Sequence, residues 1–409
     1  MEVHSTTGSA SSDEGNTFAN CVDWGIYPDR CNDTVIRGNV CYNNRQQLHL
    51  TGNSTGNTIA GNVLYSLISS QICMRVDDDY DHGTFTNNYY LNPYNGIVIE
   101  ESHSGSNIPF YSLRLWQQTH PARDQGAPTG LVRFVEYLVS SASTNLVANG
   151  AFEAGIQGWQ VFGGGTIFHD PAQSEMDGAS LRHDHTGTGD ASLEVGWYTV
   201  ELGQQYEFTC SAITDGLGSL ELIVSESTHP VIQRLELDTG RREHQWVFSW
   251  PYSTTTALFR IMTTDEDPFS YWLDNVSFRS VTPEENSRKV YSRLFTNTTS
   301  SARAISLGGA TYMDLDGGLH MGSITVPPFS SAIMTLVADP RLTALERAGA
   351  YPALRWDSEA GRAYTVEGTT NLLDAPFAPL ATGLVATPPE NGYTNASPDD
   401  PLMFYRVRR

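Results

Sequence analysis

His49, Arg75 and Glu100 stand about two dozen residues apart, each inside a short run of apolar residues: Leu48-His49-Leu50, Met74-Arg75-Val76 and Ile99-Glu100. An imidazole, a guanidinium and a carboxyl offer a base, a cation for an acidic ring and an acid, the set that cleavage of a uronate-bearing chain would use. That chemistry requires a scaffold that brings the three runs side by side. The same residues equally suit a plain surface ion pair between Arg75 and Glu100, worth at most about 1 kcal/mol.

The scaffold is written in a repeat. Asp33-Thr34-Val35-Ile36-Arg37-Gly38-Asn39-Val40, Asn57-Thr58-Ile59-Ala60-Gly61-Asn62-Val63 and Gly83-Thr84-Phe85-Thr86-Asn87-Asn88-Tyr89 align Ile36, Ile59 and Phe85 in one column and Asn39, Asn62 and Asn88 in another. A second apolar column, Leu48, Ile72 and Ile97, follows the first by 12 to 13 residues. Self-similarity at this period marks a coil of stacked β-rungs. Apolar residues fill inward positions, and the corner asparagines bond to the Asn above and below as a ladder. On this reading Leu48 and Leu50, Ile72 and Met74, and Ile97 and Ile99 point inward. The outward column is Thr51, Arg75 and Glu100, with His49, Cys73 and Val98 two residues earlier, so His49, Arg75 and Glu100 share an outer face. Nothing before Phe18 is apolar enough to cap the first rung, and the chain is expected to begin inside a longer coil.

With 409 residues the chain has room for two to four domains, and its low charged content of 17% with 36 glycines suits β-sheet and polar turns. A net charge of −22 argues against nucleic acid or an anionic membrane as partner, and no apolar run is long enough to span a bilayer. Cys21, Cys31, Cys41, Cys73 and Cys210 form an odd set without a Cys-x-x-Cys pair, which speaks for buried thiols over zinc or a disulfide framework. Phe110 to Gln118 has the spacing of a short helix that closes the coil, and a Pro- and Gly-rich boundary follows from Pro121 to Gly130.

From Asn145 the texture changes. Asn145-Leu146-Val147-Ala148-Asn149-Gly150-Ala151-Phe152-Glu153 with Gly158-Trp159, the Asp177-Gly178-Ala179-Ser180-Leu181 segment, the Val200-Glu201-Leu202 strand end with Gly203 to Tyr206, and Trp272-Leu273-Asp274-Asn275-Val276-Ser277-Phe278 resemble, in order, jelly-roll carbohydrate-binding modules of the family 4 and 9 type. The resemblance implies that the first and last strands lie side by side, and that Glu153 and Asp274 help to hold a structural calcium ion. Hard oxygen ligands suit that ion. The alternative is that Glu153 accepts backbone hydrogen bonds and Asp274 ends a strand.

Sugar binding needs flat aromatic faces and planar polar groups. Period-two alternation places Trp197 and Thr199 opposite Tyr198, Val200 and Leu202, groups Trp246, Phe248 and Trp250 on one face, and sets Arg260 opposite Phe259 and Ile261. Trp197, Trp250 and Arg260 are therefore the candidate sugar contacts, against ordinary packing or surface roles. Trp159 and Trp272, inside the framework motifs, are expected in the core.

The strands after Val281, including Val290 to Asn297 and Ile324 to Ser331, resemble the small β-sandwich that follows the coil in secreted bacterial β-helix proteins, and Leu342 to Arg409 resembles a short fibronectin-like domain. The coil itself resembles right-handed parallel β-helix proteins of the pectate-lyase-like type, in which substrate lies along the outer face of one sheet. The single lysine, Lys289, lies outside the coil and rules out there the lysine-base elimination of some such lyases. A hydrolase needs two carboxylates roughly 5 to 9.5 Å apart. Asp77, Asp78, Asp79 and Asp81 follow the Arg75 run, although that bend reads equally as a solvated turn or a calcium loop.

The expected architecture is all-β: C-terminal rungs of a right-handed parallel β-helix with a closing segment over 1–130, a jelly-roll carbohydrate-binding module over 145–281, a β-sandwich cap over 286–339 and a fibronectin-like domain over 341–409. The resemblances imply an extracellular or cell-surface monomer whose partner is polysaccharide, with neither nucleic acid nor membrane insertion. It would be the C-terminal part of a polysaccharide-degrading hydrolase or lyase. The alternative is a non-catalytic adhesion or structural protein.

Overall fold

The computed structural model describes residues 12–408 apart from 53, 78–80, 103–109, 128–135, 188, 227–228, 264–266, 286–291, 338–341, 349–350, 359–362, 371–376, 386–389 and 396–402. The chain divides into two compact units, one of residues 1–307 and 313–335, the other of residues 308–312 and 336–409.

The repeat builds a parallel β-helix of three stacked sheets. The first stacks Ser12–Glu14, Val35–Arg37, Asn57–Ala60 and Gly83–Thr86; the second stacks Thr17–Ala19, Val40–Tyr42, Val63–Tyr65 and Tyr89–Leu91. The third stacks Trp24–Ile26, Gln46–Leu50, Ile72–Asp77 and Ile97–Ser102, and the antiparallel Phe110–Ser112 ends it. Ile36, Ile59 and Phe85 align in register and are buried in one core.

The asparagine ladder is present. Asn39 Nδ2 donates to Asn62 Oδ1 at 3.0 Å, and Asn62 Nδ2 donates to Asn88 Oδ1 at 2.9 Å. Asn88 donates in turn to the buried carboxylate of Asp124, which also receives the Tyr90 hydroxyl. Each rung thus meets the backbone demand of a buried corner with a side chain from the next. The helix Leu113–Thr119 then closes the coil by burying Leu113 and Trp116 in its core.

One register differs from the sequence reading. Leu48 aligns with Met74 and Ile99, and Gln46 with Ile72, so the apolar column is Ile26, Leu48, Met74 and Ile99. The slip is two residues; Leu48, Leu50, Met74 and Ile99 point into the core as expected, whereas Ile72 is half-buried and neither it nor Ile97 joins the core cluster. Cys73 and Val98, expected outside, are buried in the coil core. All five cysteines are thiols. Burial pushes Cys73 up to about 12.

The module is a two-sheet sandwich. One sheet orders Gly165–Asp170, Ser180–His185, Phe269–Glu285, Gln205–Thr214 and Arg242–Ser249, with Tyr137–Ala142 beside the far half of Phe269–Glu285. The other orders Gln160–Gly163, Ala191–Thr199, Thr256–Thr263, Gly218–Glu226 and His229–Leu237. The opening segment lies along the last strand, as Leu146 N donates to the Phe278 carbonyl and Val276 N to the Gly150 carbonyl. The pairing of Tyr137–Ala142 extends this body beyond the 145–281 boundaries. A four-stranded sheet follows, of Ser292–Asn297, Ser330–Leu336, Arg303–Met313 and Leu319–Val326 in spatial order. It packs on the second coil sheet: Ile333 joins Tyr42, Tyr65 and Leu91, and the two tyrosine hydroxyls bond Ser292. In the second unit, sheets of Leu342–Ala348, Tyr351–Asp357 and Glu390–Thr394, and of Ala378–Val385, Ala363–Thr369 and Phe404–Arg408, enclose Trp356, Tyr364 and Val407.

Candidate functional site

The coil brings His49, Arg75 and Glu100 into a single column, in direct register across three rungs. Thr51 belongs to the next column, beside Asp77. Arg75 Nε donates to Asp77 Oδ1 and Arg75 Nη1 to Glu100 Oε1, each at 2.9 Å. His49 Nε2 lies 3.2 Å from Asp77 Oδ2 without the alignment of a hydrogen bond, and its other flank meets the stacked rings of Trp24 and Tyr27. Burial raises the Asp77 carboxyl, but contacts with His49, Arg75 and Thr51 outweigh it and hold the group below the usual carboxylate range. Glu100 is only 8% exposed. With Arg75 donating to both Asp77 and Glu100, this column holds a chain of paired charges. Of the acidic bend, Asp81 Oδ1 accepts the Gly83 N–H and so supports a turn, Asp78 and Asp79 lie outside the described residues, and so does Lys289.

The chain of charges continues into the module. The Arg234 guanidinium sits 3.3 Å from the Phe110 ring centroid, feels the Glu100 charge, and donates from Nε to Glu221 Oε1 at 2.8 Å. Arg114 reaches Asp238 at 3.3 Å. Arg234 has no local sequence signal, because its partners come from a distant part of the chain.

On the module, Trp197 and Arg260 share the outer face of the five-stranded sheet. Alternation along Ala191–Thr199 is interrupted by a bulge at Glu194 to Gly196, where Gly196 takes φ +149°. The extra residue lets Leu193 and Val200 both enter the core and turns Trp197 outward. Trp197 is 64% exposed, and no ring or guanidinium stacks on it among the described residues. It pairs with Leu258, two residues from Arg260, whose direct partner is Glu194. Arg260 Nε is shielded from water and has no hydrogen-bond partner among the described residues. Phe162, 50% exposed on the adjoining strand, extends the apolar surface and was not singled out by sequence.

Trp250 requires a correction. It shares a face with Trp246 and Phe248 as expected, but that face is the core, where the indole is 0% exposed and donates to the Thr254 carbonyl. It offers no surface to a sugar. Trp159 is core as expected, whereas Trp272 lies on the outer face of the other sheet. Its Nε1 donates to Asp170 and Arg182 covers its ring at 5.3 Å, so both its polar and its flat surfaces are engaged.

Glu153 and Asp274 converge on one turn. Asp274 is buried and accepts the backbone N–H of Asp177 and of Asn275, while the Glu153 carboxylate stands where a Cβ on Gly178 would be. Burial raises the Asp274 carboxyl, and the neighbouring Asp177 charge adds to it. Asp177 itself is taken by a two-pronged contact with Arg241. No group of three His, Cys, Asp or Glu side chains forms a metal cage among the described residues. Glu153 and Asp274 supply two hard carboxylate oxygens, the ligand type that calcium takes.

No protein-family model and no curated protein matches the chain. Among solved structures it is similar to a Family 16 Carbohydrate Binding Module-2, at 19% identity over 33% of this chain and 99% of that one, with a TM-score of 0.28. It is also similar to the CBM22-1 xylan-binding domain of Paenibacillus barcinonensis Xyn10C, at 17% identity over 32% of this chain and 92% of that one, TM-score 0.26. The enzymatically active domain of bacteriophage CBA120 tailspike protein 4 matches at 11% identity over 67% of this chain and 44% of its own, TM-score 0.29.

Proposed function

We propose that this is an extracellular carbohydrate-binding protein whose module takes a polysaccharide on the outer face of its five-stranded sheet. Trp197 supplies the flat apolar surface for a sugar ring, and Arg260 the donor for its oxygens. The observation that carries the reading is the unstacked, 64% exposed Trp197 on the same outer face as the half-buried Arg260. Phe162 and Phe168 are also about half exposed, but the module's other tryptophans are packed inside or, in Trp272, covered by Arg182. Calcium at Glu153 and Asp274 would tie the opening segment to the last strand and stabilise the sandwich without touching the sugar.

Retention of the full chain on insoluble polysaccharide tests this directly. Replacing Trp197 with Ala removes the stacking surface and abolishes retention if the reading holds, while unchanged retention rejects the site.

A second reading, in which the coil is part of a polysaccharide-degrading hydrolase or lyase, is favoured by one feature: His49 lies between Asp77 and the Trp24–Tyr27 stack on an outer face. In that case His49→Ala stops release of oligosaccharides from a bound polymer. If neither binding nor release is observed, a surface adhesion or structural role takes precedence.

A further inference from the structure

We infer that the coil closes one end of the module's sugar face, so that the site receives the end of a glycan chain and not its middle. This rests on the sugar reading above and adds a geometry to it.

The outer face can be followed strand by strand in register. One row runs from Trp197 through Leu258 to Ser225, and its neighbour from Glu194 through Arg260 to Ile223. Along the first row exposure falls from 64% at Trp197, through a half-buried Leu258, to 8% at Ser225. Along the second it falls from half-buried at Glu194 and Arg260 to 4% at Ile223. Ser225 and Ile223 alternate with Leu222 and Val224, which lie in the module core, so they face outward and their burial requires a cover. The cover is the last rung of the coil, with its strands Ile97–Ser102 and Phe110–Ser112 packed on Gly218–Glu226 and His229–Leu237. Arg234 over Phe110 and Arg114 on Asp238 pin it there.

Three strands, Gln160–Gly163, Ala191–Thr199 and Thr256–Thr263, therefore remain open before the wall, a span of about 14 Å to the first covered strand at about 4.8 Å per strand. Arg260 stands at the foot of that wall. A chain stacked on Trp197 and reaching Arg260 moves one strand toward the wall and two residues along it, and a chain that continues on that line meets the coil, where its terminal unit ends. Arg260 Nε is buried and unpartnered among the described residues, so turning the guanidinium outward toward a hydroxyl or carboxylate of that unit breaks no hydrogen bond of Nε.

The test uses the full chain with β-1,4-xylan, β-1,4-galactan and polygalacturonate, each as the parent polymer and after partial hydrolysis to about ten times as many chain ends per gram. For the polymer that binds, the hydrolysed sample is expected to compete about tenfold better at equal mass, because sites scale with ends. Equal competition at equal mass overturns the inference while leaving the sugar reading intact. Binding to none of the three contradicts both. The Arg234→Glu, Phe110→Ala double variant, which loosens the wall, is expected to shift competition back toward equal mass; a folded variant that keeps the preference for ends places its origin elsewhere and overturns the role of the coil.

Discussion

Two outer surfaces of this molecule carry the residue types from which binding and catalytic sites are made, and they differ in what those residues lack. In the coil column, Asp77, Arg75 and Glu100 satisfy one another, and Arg234 extends the chain of charges into the module. On the module face, Trp197 has no stacking partner and Arg260 Nε has no acceptor among the described residues. A base, a cation and an acid in register look more like chemistry than a lone indole beside an arginine. Unmet capacity is nevertheless the better guide, because a group already paired must break that contact before it can serve a ligand.

The contrast is sharpened first by removing Arg75. Arg75→Ala leaves the largely buried Glu100 without its cation and Asp77 with only His49 and Thr51, and a loss of about 2 kcal/mol in unfolding free energy is expected, with retention on polysaccharide unchanged. Chemical denaturation with a parallel pull-down reads both. If the column is instead catalytic, stability changes little and product release stops.

Acid acts on the module from inside. His183 is fully buried, and burial first, then the nearby His185, with Asp184 opposing, bring its pKa down to about 4. In the unfolded chain the imidazole titrates near its ordinary value, so between about pH 6.5 and 4 the unfolded state binds the extra proton. The stability from a neutral His183 is therefore complete above pH 6.5 and falls away toward pH 4, by about 3 kcal/mol at most. Melting curves across that window, compared with His183→Leu, check the sign; a flat difference between the two proteins would show that His183 is not the group responsible.

Trp197→Ala is expected to weaken retention at least about tenfold, or roughly 1.4 kcal/mol, without lowering the melting temperature, since the ring is exposed. Chelation gives the smallest expected change. Removing calcium should lower the melting temperature of the module transition by a few degrees if Glu153 and Asp274 hold an ion, because a ligand of the native state alone stabilises it. The Glu153→Gln protein should then be indifferent to chelator.

Much of this was legible in the sequence. The fixed period and the corner asparagines announced the coil and its ladder, and the motifs at either end of the module placed its opening segment beside its last strand. The terminator Asp124 was not legible, for it lies outside the period and joins the ladder only through the closing segment. Register slipped by two because Leu48-x-Leu50 and Ile72-x-Met74 look equivalent in sequence, while in the fold Ile72 stacks on Gln46 and Cys73 takes the core place. Alternation grouped Trp246, Phe248 and Trp250 correctly, but assigning Trp250 to a ligand ignored that an all-apolar face is the one folding buries. Trp272 sits among Tyr271 and Leu273, so both faces of that strand look apolar and only pairing shows which is outside. Trp197 was found because polar Thr199 shares its face. The wall beside it was invisible, since coil and module meet through residues far apart in the chain.

The most direct test compares Trp197→Ala and Arg75→Ala in the full chain by retention on the same insoluble polysaccharide. Loss for Trp197→Ala with full retention for a folded Arg75→Ala is the predicted result. Retention by Trp197→Ala together with loss in Arg75→Ala would move the binding surface to the coil and contradict the account.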